Sequence, residues 1–223
     1  EVPAETAEDI RAVIESEFGR PVGEVFAWLA PEPQAAASLA QVHLAQLHSG
    51  EEVVVKVQRP RIQTLVDTDL AALRLAATWL KVYRPVSRHM DLDRLYDEFA
   101  RTTRAELDFE AEGRNADRFA NDFAADRGIY IADVFWEYTT RRVLTLENVS
   151  SIKIDDLEAM EAAGISRGEV ARRLYDTYLE QIFVHSFVHA DPHPGNLFVH
   201  PLDPDPNATP GAPRPFLLIF VDF

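Results

Sequence analysis

The chain has 223 residues, a length that fits one large domain or two small lobes. Hydrophobic residues make up 47% of it, enough for a substantial core, and the formal net charge of -15 argues against a nucleic-acid partner, because phosphate backbones are bound by basic patches. The absence of cysteine excludes disulfides, thiolate metal sites and cysteine nucleophiles.

Helical periodicity runs through several parts of the chain. The first predicted helix is capped by Thr6, with Asp9 three residues on, and ends at Gly19. Further helices are predicted at residues 61–83 (ended by Pro85), 91–123 (as one helix or two), 155–163 and 167–185. Their expected apolar anchors are Leu92, Leu95, Phe99, Phe119 and Phe123, and then Val170, Leu174, Tyr178 and Ile182 in the last helix.

Strand patterns lie between these helices. A loop at residues 31–38 leads to a predicted hairpin around the turn His48–Gly50. A second hairpin is predicted within residues 129–149, turning near Thr139–Arg141, and two late strands are predicted at residues 197–199 and 216–221. This order predicts an α+β, two-lobed architecture with a hinge at residues 146–151.

The ends of the chain have no targeting signal. The N-terminus is acidic and lacks an apolar leader, and no apolar run is long enough to span a bilayer. We therefore expect a soluble, most simply cytoplasmic chain. It stops directly after an apolar strand, which predicts that it is a fragment of a longer protein.

Lys56 is one of three lysines and lies in the apolar run VVVKV. Strand alternation places it on the face opposite Val55 and Val57. It belongs either to an edge strand that faces water or to a buried site with an acidic partner, because an unpaired buried charge costs several kcal/mol. The candidate partners lie on a predicted helix, which could equally be a solvated acidic helix: Glu106, Asp108, Glu110 and Glu112.

The densest polar cluster is the stretch VHADPHPGNLFV, residues 188–199. Asp191 and Asn196 have the spacing of the protein-kinase catalytic loop, H-R-D-x-x-x-x-N. The later run LLIFVDF ends in Asp222 and Phe223, as the kinase D-F-G motif begins. Four features follow one another in the same order as in protein kinases: a lysine in a strand, a glutamate on a helix, the D-x-x-x-x-N motif and the D-F pair. The alternative for this loop is a metal-dependent hydrolase that binds Zn²⁺ or Fe through His185, His189, Asp191 and His193.

Three longer segments resemble one family. They are PQAAASLAQVHLAQLHSGEEVVVKVQRP, ELDFEAEGRNADRF and FVHADPHPGNLFV, and they are similar to hallmark segments of the UbiB/AarF family of atypical kinase-like proteins. The resemblance covers residues 31–223 and implies a two-lobed protein-kinase-like fold. A small antiparallel-sheet N-lobe with added helices is expected at residues 1–149, and a mainly helical, truncated C-lobe at residues 150–223.

The resemblance also assigns roles to residues. Ala35, Ala36, Ala37 and Ser38 stand in place of the glycine-rich loop of kinases, and in the family this alanine-rich loop goes with altered nucleotide preference. The resemblance further implies that Lys56 holds the α- and β-phosphates, with Glu112 as its helix partner. It implies that Glu106 and Asp108 form an E-x-D motif on the nucleotide side. It also implies that Asp191 is the catalytic aspartate and that Asn196 and Asp222 bind Mg²⁺.

The expected function is an atypical kinase-like ATPase that binds Mg-ATP, or ADP, and supports ubiquinone, prenylquinone or lipid metabolism. Expected partners are a nucleotide, a lipid or prenylquinone-pathway intermediate, and a membrane surface or biosynthetic complex, with the full-length protein peripheral to the membrane. The family's Lys-x-Gly-Gln motif and the glycine of D-F-G are absent from the chain. The alternative is a non-catalytic nucleotide-binding module.

Overall fold

The structure, a computed structural model, describes residues 3–81, 91–149, 151–204 and 212–223. Helices α1 to α7 are Ala7–Phe18, Val22–Val25, Ile62–Leu80, Leu92–Ala105, Phe109–Asp122, Leu157–Ala162 and Arg167–Glu180. Strands β1 to β9 are Trp28–Leu29, Ala35–Ala36, Ala40–Gln46, Glu52–Gln58, Ile129–Ile131, Val143–Glu147, Ile152–Lys153, Leu197–Pro201 and Phe216–Phe220. These helices and strands confirm the predicted α+β class.

The chain divides into two compact units. The first contains Glu1–Ala111 and Phe135–Thr145, and the second contains Glu112–Val134 and Leu146–Phe223. This division differs from the single predicted boundary after residue 149, because residues 112–134 group with the second unit. The assignment of the units to kinase lobes stays a prediction.

The first unit is built on a sheet in which β1, β3, β4 and β6 are neighbours in that order, with β2 also paired to β3. The predicted first hairpin is confirmed: β3 and β4 are antiparallel and are joined by a turn in which Gly50 has a φ of 104°. Val53, Val55 and Val57 are fully buried in a core shared with α1. Thr6 caps α1 by accepting the Asp9 amide, as predicted.

The predicted second hairpin is confirmed only near its turn. An antiparallel bridge joins Val134 to Leu146 of β6, and the Thr140 amide donates to Val143 O at 2.7 Å, at the predicted turn. The predicted first strand of the hairpin is wrong, because β5 pairs in parallel with β9 in the sheet of the second unit, whereas β6 lies beside β4 in the first sheet. Trp136–Tyr138 form a 3-10 helix. The runs separate because the side chains of β5 are buried in one core and Val143 of β6 in another.

The second unit contains a four-stranded sheet in the order β5, β9, β8, β7. β8 is antiparallel to both β9 and β7. Phe119 of α5, Phe123 directly after α5, and Val170 of α7 pack in one core with this sheet, which confirms these three predicted anchors.

Helices α3 and α4 belong to the first unit. Residues 91–123 form two helices, α4 and α5, and Pro85 lies outside the described residues. Leu92 is buried as predicted, but Leu95 and Phe99 are 53% and 51% exposed, so that expectation is wrong. The reason is that Ala100 and Tyr96 pack with α3 instead, on a different stripe of the helix. Within the described residues, no helix is long and apolar enough to cross a membrane.

The end of α7 departs from regular α-helical geometry. Residues Gln181–His185 form a π-helical turn, which widens the helix by one residue per turn. The wider turn places Gln181 in the interior and leaves Ile182 48% exposed. The expected burial of Ile182 is therefore wrong.

Candidate active site

Lys56 lies in the middle of the first unit's sheet. Its strand β4 is flanked by β3 and β6, so the edge-strand interpretation is wrong. The side chain is half-buried, opposite the buried faces of Val55 and Val57. Its Nζ lies 5.1 Å from the centre of the Phe109 ring, a cation–π contact that orients the ammonium group without neutralising it.

The segment that carries Glu106 and Asp108 joins two helices. The prediction that these residues lie on one helix is therefore wrong. Helix α4 ends at Ala105 and α5 begins at Phe109. Asp108 Oδ1 accepts the Ala111 amide at 3.0 Å, so this carboxylate caps α5. Asp108 is half-buried and Glu106 is exposed. The E-x-D motif therefore lies in a junction at the start of a helix, where Glu106 is exposed and Asp108 serves as the cap.

Gln58 fixes this junction to the lysine strand. Its fully buried amide Nε2 donates to the carbonyl oxygens of Leu107, at 2.8 Å, and Arg141, at 3.2 Å. The Phe109 amide also donates to Arg141 O, at 3.1 Å. Sequence reasoning missed Gln58, although a polar residue that ends a buried apolar strand was a usable signal.

The alanine-rich segment is part of a tight hairpin, whereas a loop was predicted. Ala35 and Ala36 form β2, antiparallel to β3, and the Ala37 amide donates to Ala40 O at 2.9 Å. All four residues of the segment, through Ser38, are exposed.

Glu112 lies on α5 in the second unit, whereas Lys56 belongs to the first. The pairing of Lys56 with Glu112 stays a prediction.

The loop at Asp191 is held in shape by its own polar groups. Asn196 Nδ2 donates to Asp191 Oδ2 at 3.0 Å, which joins the two ends of the D-x-x-x-x-N motif. His193 Nδ1 accepts the Gly195 amide at 3.0 Å, and the Asn196 amide donates to His193 O at 2.9 Å. Asp191 itself is exposed.

Backbone contacts join this loop to the segment that carries Asp222. The Val221 amide donates to Asn196 O at 3.0 Å, and the imidazole Nε2 of buried His189 donates to Val221 O at 3.1 Å. The next residue, Asp222, has a φ of 68°, which is a left-handed conformation. This conformation is uncommon for residues other than glycine and is found more often at functional sites. The structure thus brings Asp191, Asn196 and Asp222 together within one unit.

This donor set fits Mg²⁺. Magnesium prefers oxygen ligands, and carboxylates are its usual protein donors. Asn196 turns its amide nitrogen to Asp191, so its amide oxygen is the atom that a metal would take. Asp222 contributes an exposed carboxylate.

The histidines near the loop have other contacts. His185 packs on Phe123 and approaches the carboxylates of Asp122 and Glu180, at 3.8 and 3.5 Å. His189 is buried and stacks edge-on against Phe223. In the part of the chain that the structure describes, no group of three histidine, aspartate or glutamate side chains could hold a metal ion. The hydrolase interpretation is therefore not supported.

Gln181 and Tyr178 support the loop from α7. Gln181 Oε1 accepts the His189 amide at 2.9 Å, and Tyr178 OH donates to His189 O at 3.5 Å. Burial, and then the negative charge of Asp191, raise the pKa of Tyr178 to about 12. The phenol therefore stays protonated near neutral pH. Sequence analysis treated Tyr178 as a core residue and did not identify Gln181.

Comparison with known proteins identifies relatives over the whole chain. Residues 1–223 match the ABC1 atypical kinase-like domain. Protein ACTIVITY OF BC1 COMPLEX KINASE 7, chloroplastic, of Arabidopsis thaliana is 42% identical over 198 residues, which cover 89% of this chain and 28% of that protein. Probable protein kinase UbiB of Marinobacter nauticus is 38% identical over 206 residues, 91% of this chain and 38% of that protein. The chain thus spans about a third of the length of the curated relatives it matches.

The fold also has a relative among solved structures. The complex of Rv3197 with erythromycin, from Mycobacterium tuberculosis, superimposes with a TM-score of 0.71 over 99% of this chain and 52% of that one. The two sequences are 24% identical, so this likeness shows the fold alone. Together with the family match, it confirms the kinase-like α+β fold that the sequence predicted. The chain belongs to the ABC1 family of atypical kinase-like domains.

Proposed function

We propose that this chain is the nucleotide-binding and phosphoryl-transfer part of an atypical kinase or ATPase, which binds Mg-ATP and transfers or hydrolyses its γ-phosphate. One observation carries the proposal. Asp191, Asn196 and Asp222 are held together by a side-chain hydrogen bond and by backbone bonds through Val221. Phosphoryl transfer depends mainly on positioning and charge neutralisation, and such a preset arrangement serves both.

The chemistry of the second unit follows from this arrangement. Asn196 Oδ1 and the Asp222 carboxylate would hold Mg²⁺, which neutralises phosphate charge when bound. Asp191 would orient the attacking water or hydroxyl group. Because Asn196 donates to Oδ2 of Asp191, the rotation of this carboxylate is restricted, and Oδ1 would be the atom that contacts the acceptor.

The first unit would contribute the contacts to the nucleotide. The Lys56 ammonium, oriented by Phe109, would bind the α- and β-phosphates, with Glu112 as its predicted partner. The hairpin Ala35–Ser38 would cover the nucleotide, less closely than glycines could, since its Cβ atoms keep the backbone away from phosphate. Glu106 and Asp108 would lie on the nucleotide side.

The biological role is proposed from resemblance. Family likeness favours ATP hydrolysis, coupled to prenylquinone or lipid metabolism, over protein phosphorylation. A lipid or quinone intermediate, a membrane surface and a biosynthetic complex are the partners we propose for the whole protein, which would be cytoplasmic and peripheral to the membrane. The relatives named as kinases support the enzyme class.

A non-catalytic nucleotide-binding module is the second candidate. The exposed alanine methyl groups of the hairpin favour it, because they limit how closely the backbone can approach a γ-phosphate. The preset hydrogen bond on Asp191 argues for turnover, since simple binding does not need this carboxylate.

Two measurements test the proposal. A thermal-shift titration with Mg-ATP at about 100 times its Kd should stabilise the wild-type chain by about 2.7 kcal/mol, and Lys56→Ala and Asp222→Asn should abolish the shift. In the full-length parent, Asp191→Asn should lower Mg²⁺-dependent ATP turnover by about 10²-fold or more. Asp203→Asn, an exposed carboxylate of the same unit, is the matched control and should change neither result. Binding of Mg-ATP without turnover in the wild type would favour the non-catalytic module, and turnover that is unchanged in Asp191→Asn would contradict the role of Asp191.

A further inference from the structure

The buried side chain of Arg59 joins the N-terminal segment of the chain to the alanine-rich hairpin. Arg59 is 6% exposed and follows directly after the lysine strand. Its Nε donates to Ala37 O at 2.9 Å, and its backbone amide donates to Leu39 O at 2.9 Å. One residue therefore holds the hairpin turn at two carbonyl groups.

The other two nitrogens of the same guanidinium hold residues Pro3–Glu5, which we call the N-terminal strap. Nη1 forms an ion pair with Glu5 Oε1 at 2.8 Å, and Nη2 donates to Pro3 O at 2.9 Å. A guanidinium is planar and its donors have fixed directions. Displacement of the strap must therefore either leave buried donors unpaired or rotate Arg59 away from Ala37.

The strap is also bound to the sheet. The Glu5 amide donates to Gln41 Oε1, and Gln41 Nε2 contacts His43 Nε2 at 3.2 Å. His43 Nδ1 in turn lies 2.9 Å from Ala30 O. Gln41 and His43 are fully buried, so this row of hydrogen bonds is shielded from water. The strap is an integral part of the first unit rather than a loose end.

We propose that Arg59 is a positioning residue for nucleotide binding, and that the strap supports this binding by holding the guanidinium of Arg59 in place. The inference rests on the proposed function, which makes Ala35–Ser38 a nucleotide-binding element. A hairpin without glycine gains little from flexibility, so its affinity depends on being held in place before the ligand arrives. Release of the turn adds an ordering cost to binding.

The test compares variants of this chain by two readouts. Arg59→Lys keeps the charge, but its single nitrogen cannot reach the three separate acceptors of the guanidinium. Glu5→Gln keeps Arg59 but removes the ion pair. Arg59→Lys should raise the Kd for Mg-ATP about tenfold, which corresponds to about 1.4 kcal/mol. Glu5→Gln should raise it about threefold. Without nucleotide, both should speed amide hydrogen exchange at residues 36–40.

A core variant serves as the control for general destabilisation. Ile165→Val removes one buried methyl group from the core of the second unit, which contains no residue of the hairpin, and should lower Tm while leaving the Kd and the exchange of the hairpin unchanged. If Arg59→Lys does not fold, Glu5→Gln provides the test, because this variant retains the Arg59 guanidinium. An unchanged Kd and unchanged exchange in a folded variant overturn this inference but not the proposed function. No binding of Mg-ATP by the wild type overturns the proposed function, and the nucleotide role of Arg59 with it.

Discussion

Buried polar side chains hold the candidate site in shape. Gln58 binds the carbonyl groups beside Phe109, Gln181 binds the His189 amide, and His189 binds Val221 O. All three are buried. Each also has a second buried polar atom that makes no hydrogen bond within the described residues: Gln58 Oε1, Gln181 Nε2 and His189 Nδ1. Their bonds to the backbone are therefore the contacts that offset the cost of burying them. Loss of such a partner costs about 1–3 kcal/mol, because it leaves a buried amide or carbonyl unpaired.

At the same scale, His43 gives the first unit a pH dependence. Burial lowers the pKa of His43 below its ordinary value of 6.5, and this outweighs the opposing hydrogen bond to Ala30. The unfolded chain therefore binds the proton first as the pH falls. The contribution of uncharged His43 to the free energy of unfolding is complete above pH 6.5. It is lost as the pH falls from 6.5 toward the pKa of His43 in the folded chain.

We expect the free energy of unfolding to fall between about pH 7.5 and about pH 5.5, and to fall less in His43→Gln. Urea unfolding at each pH measures this slope. Val53→Ala, which removes apolar volume but no titratable group from the core of the same unit, should keep the wild-type slope. Equal slopes in the wild type and His43→Gln would contradict the argument.

Residues of this kind explain what the sequence analysis missed. Lys56, Asp191 and Asp222 could be identified because a charge in an apolar run or beside a strand end is conspicuous. Gln181 could not, because a single glutamine in an amphipathic helix pattern is typical of a surface position, and the signal at Gln58, a polar residue that ends a buried strand, was not used. Their importance depends on which carbonyl or amide group the fold brings beside them.

At the scale of elements, local patterns were predicted well and non-local pairings were not. The β3–β4 hairpin follows from a short turn with Gly50, and the start of α1 follows from Thr6. The strand Ile129–Ile131, which was predicted to belong to a hairpin, pairs instead with residues 218–220, far along the chain. Periodicity cannot show which distant strand a run will join, because several strands offer equal apolar faces.

The junction between α4 and α5 separates two roles for Asp108. Its side chain caps α5, and its charge belongs to the E-x-D motif proposed to face the nucleotide. Asp108→Asn keeps a capping oxygen and should leave stability within about 0.5 kcal/mol of the wild type, while weakening Mg-ATP binding. Asp108→Ala should in addition destabilise the chain by about 1 kcal/mol.

Chemical denaturation and a nucleotide titration of both variants check this separation. Asp156→Asn, at the equivalent capping position of α6, is the matched control and should affect neither quantity. If Asp108→Asn bound Mg-ATP as well as the wild type, the carboxylate would act only as a helix cap.

For the whole molecule, net charge is the dominant electrostatic feature. The chain carries 37 acidic and 22 basic residues, a formal charge of -15. Its exposed ion pairs, such as Lys81 with Asp93 and Arg101 with Glu98, contribute little to stability, because both partners are solvated. Salt screens both the attraction within these ion pairs and the repulsion among the excess acidic groups. Screening the attraction lowers stability, whereas screening the repulsion raises it. Because acidic groups exceed basic ones so strongly, repulsion should outweigh these pairs.

We therefore expect Tm at about pH 7 to rise by a few degrees when NaCl is increased from about 20 to about 200 mM, since the Debye length falls to about 8–10 Å near the upper concentrations. Calorimetry measures the shift. At about pH 5 more carboxylates are protonated, so the same salt step should raise Tm less. Replacing NaCl by MgCl₂ at equal ionic strength, in the wild type and Asp222→Asn, separates screening from binding at the candidate metal ligands. A fall in Tm with NaCl would show that attractive ion pairs, rather than self-repulsion, control the stability of the chain.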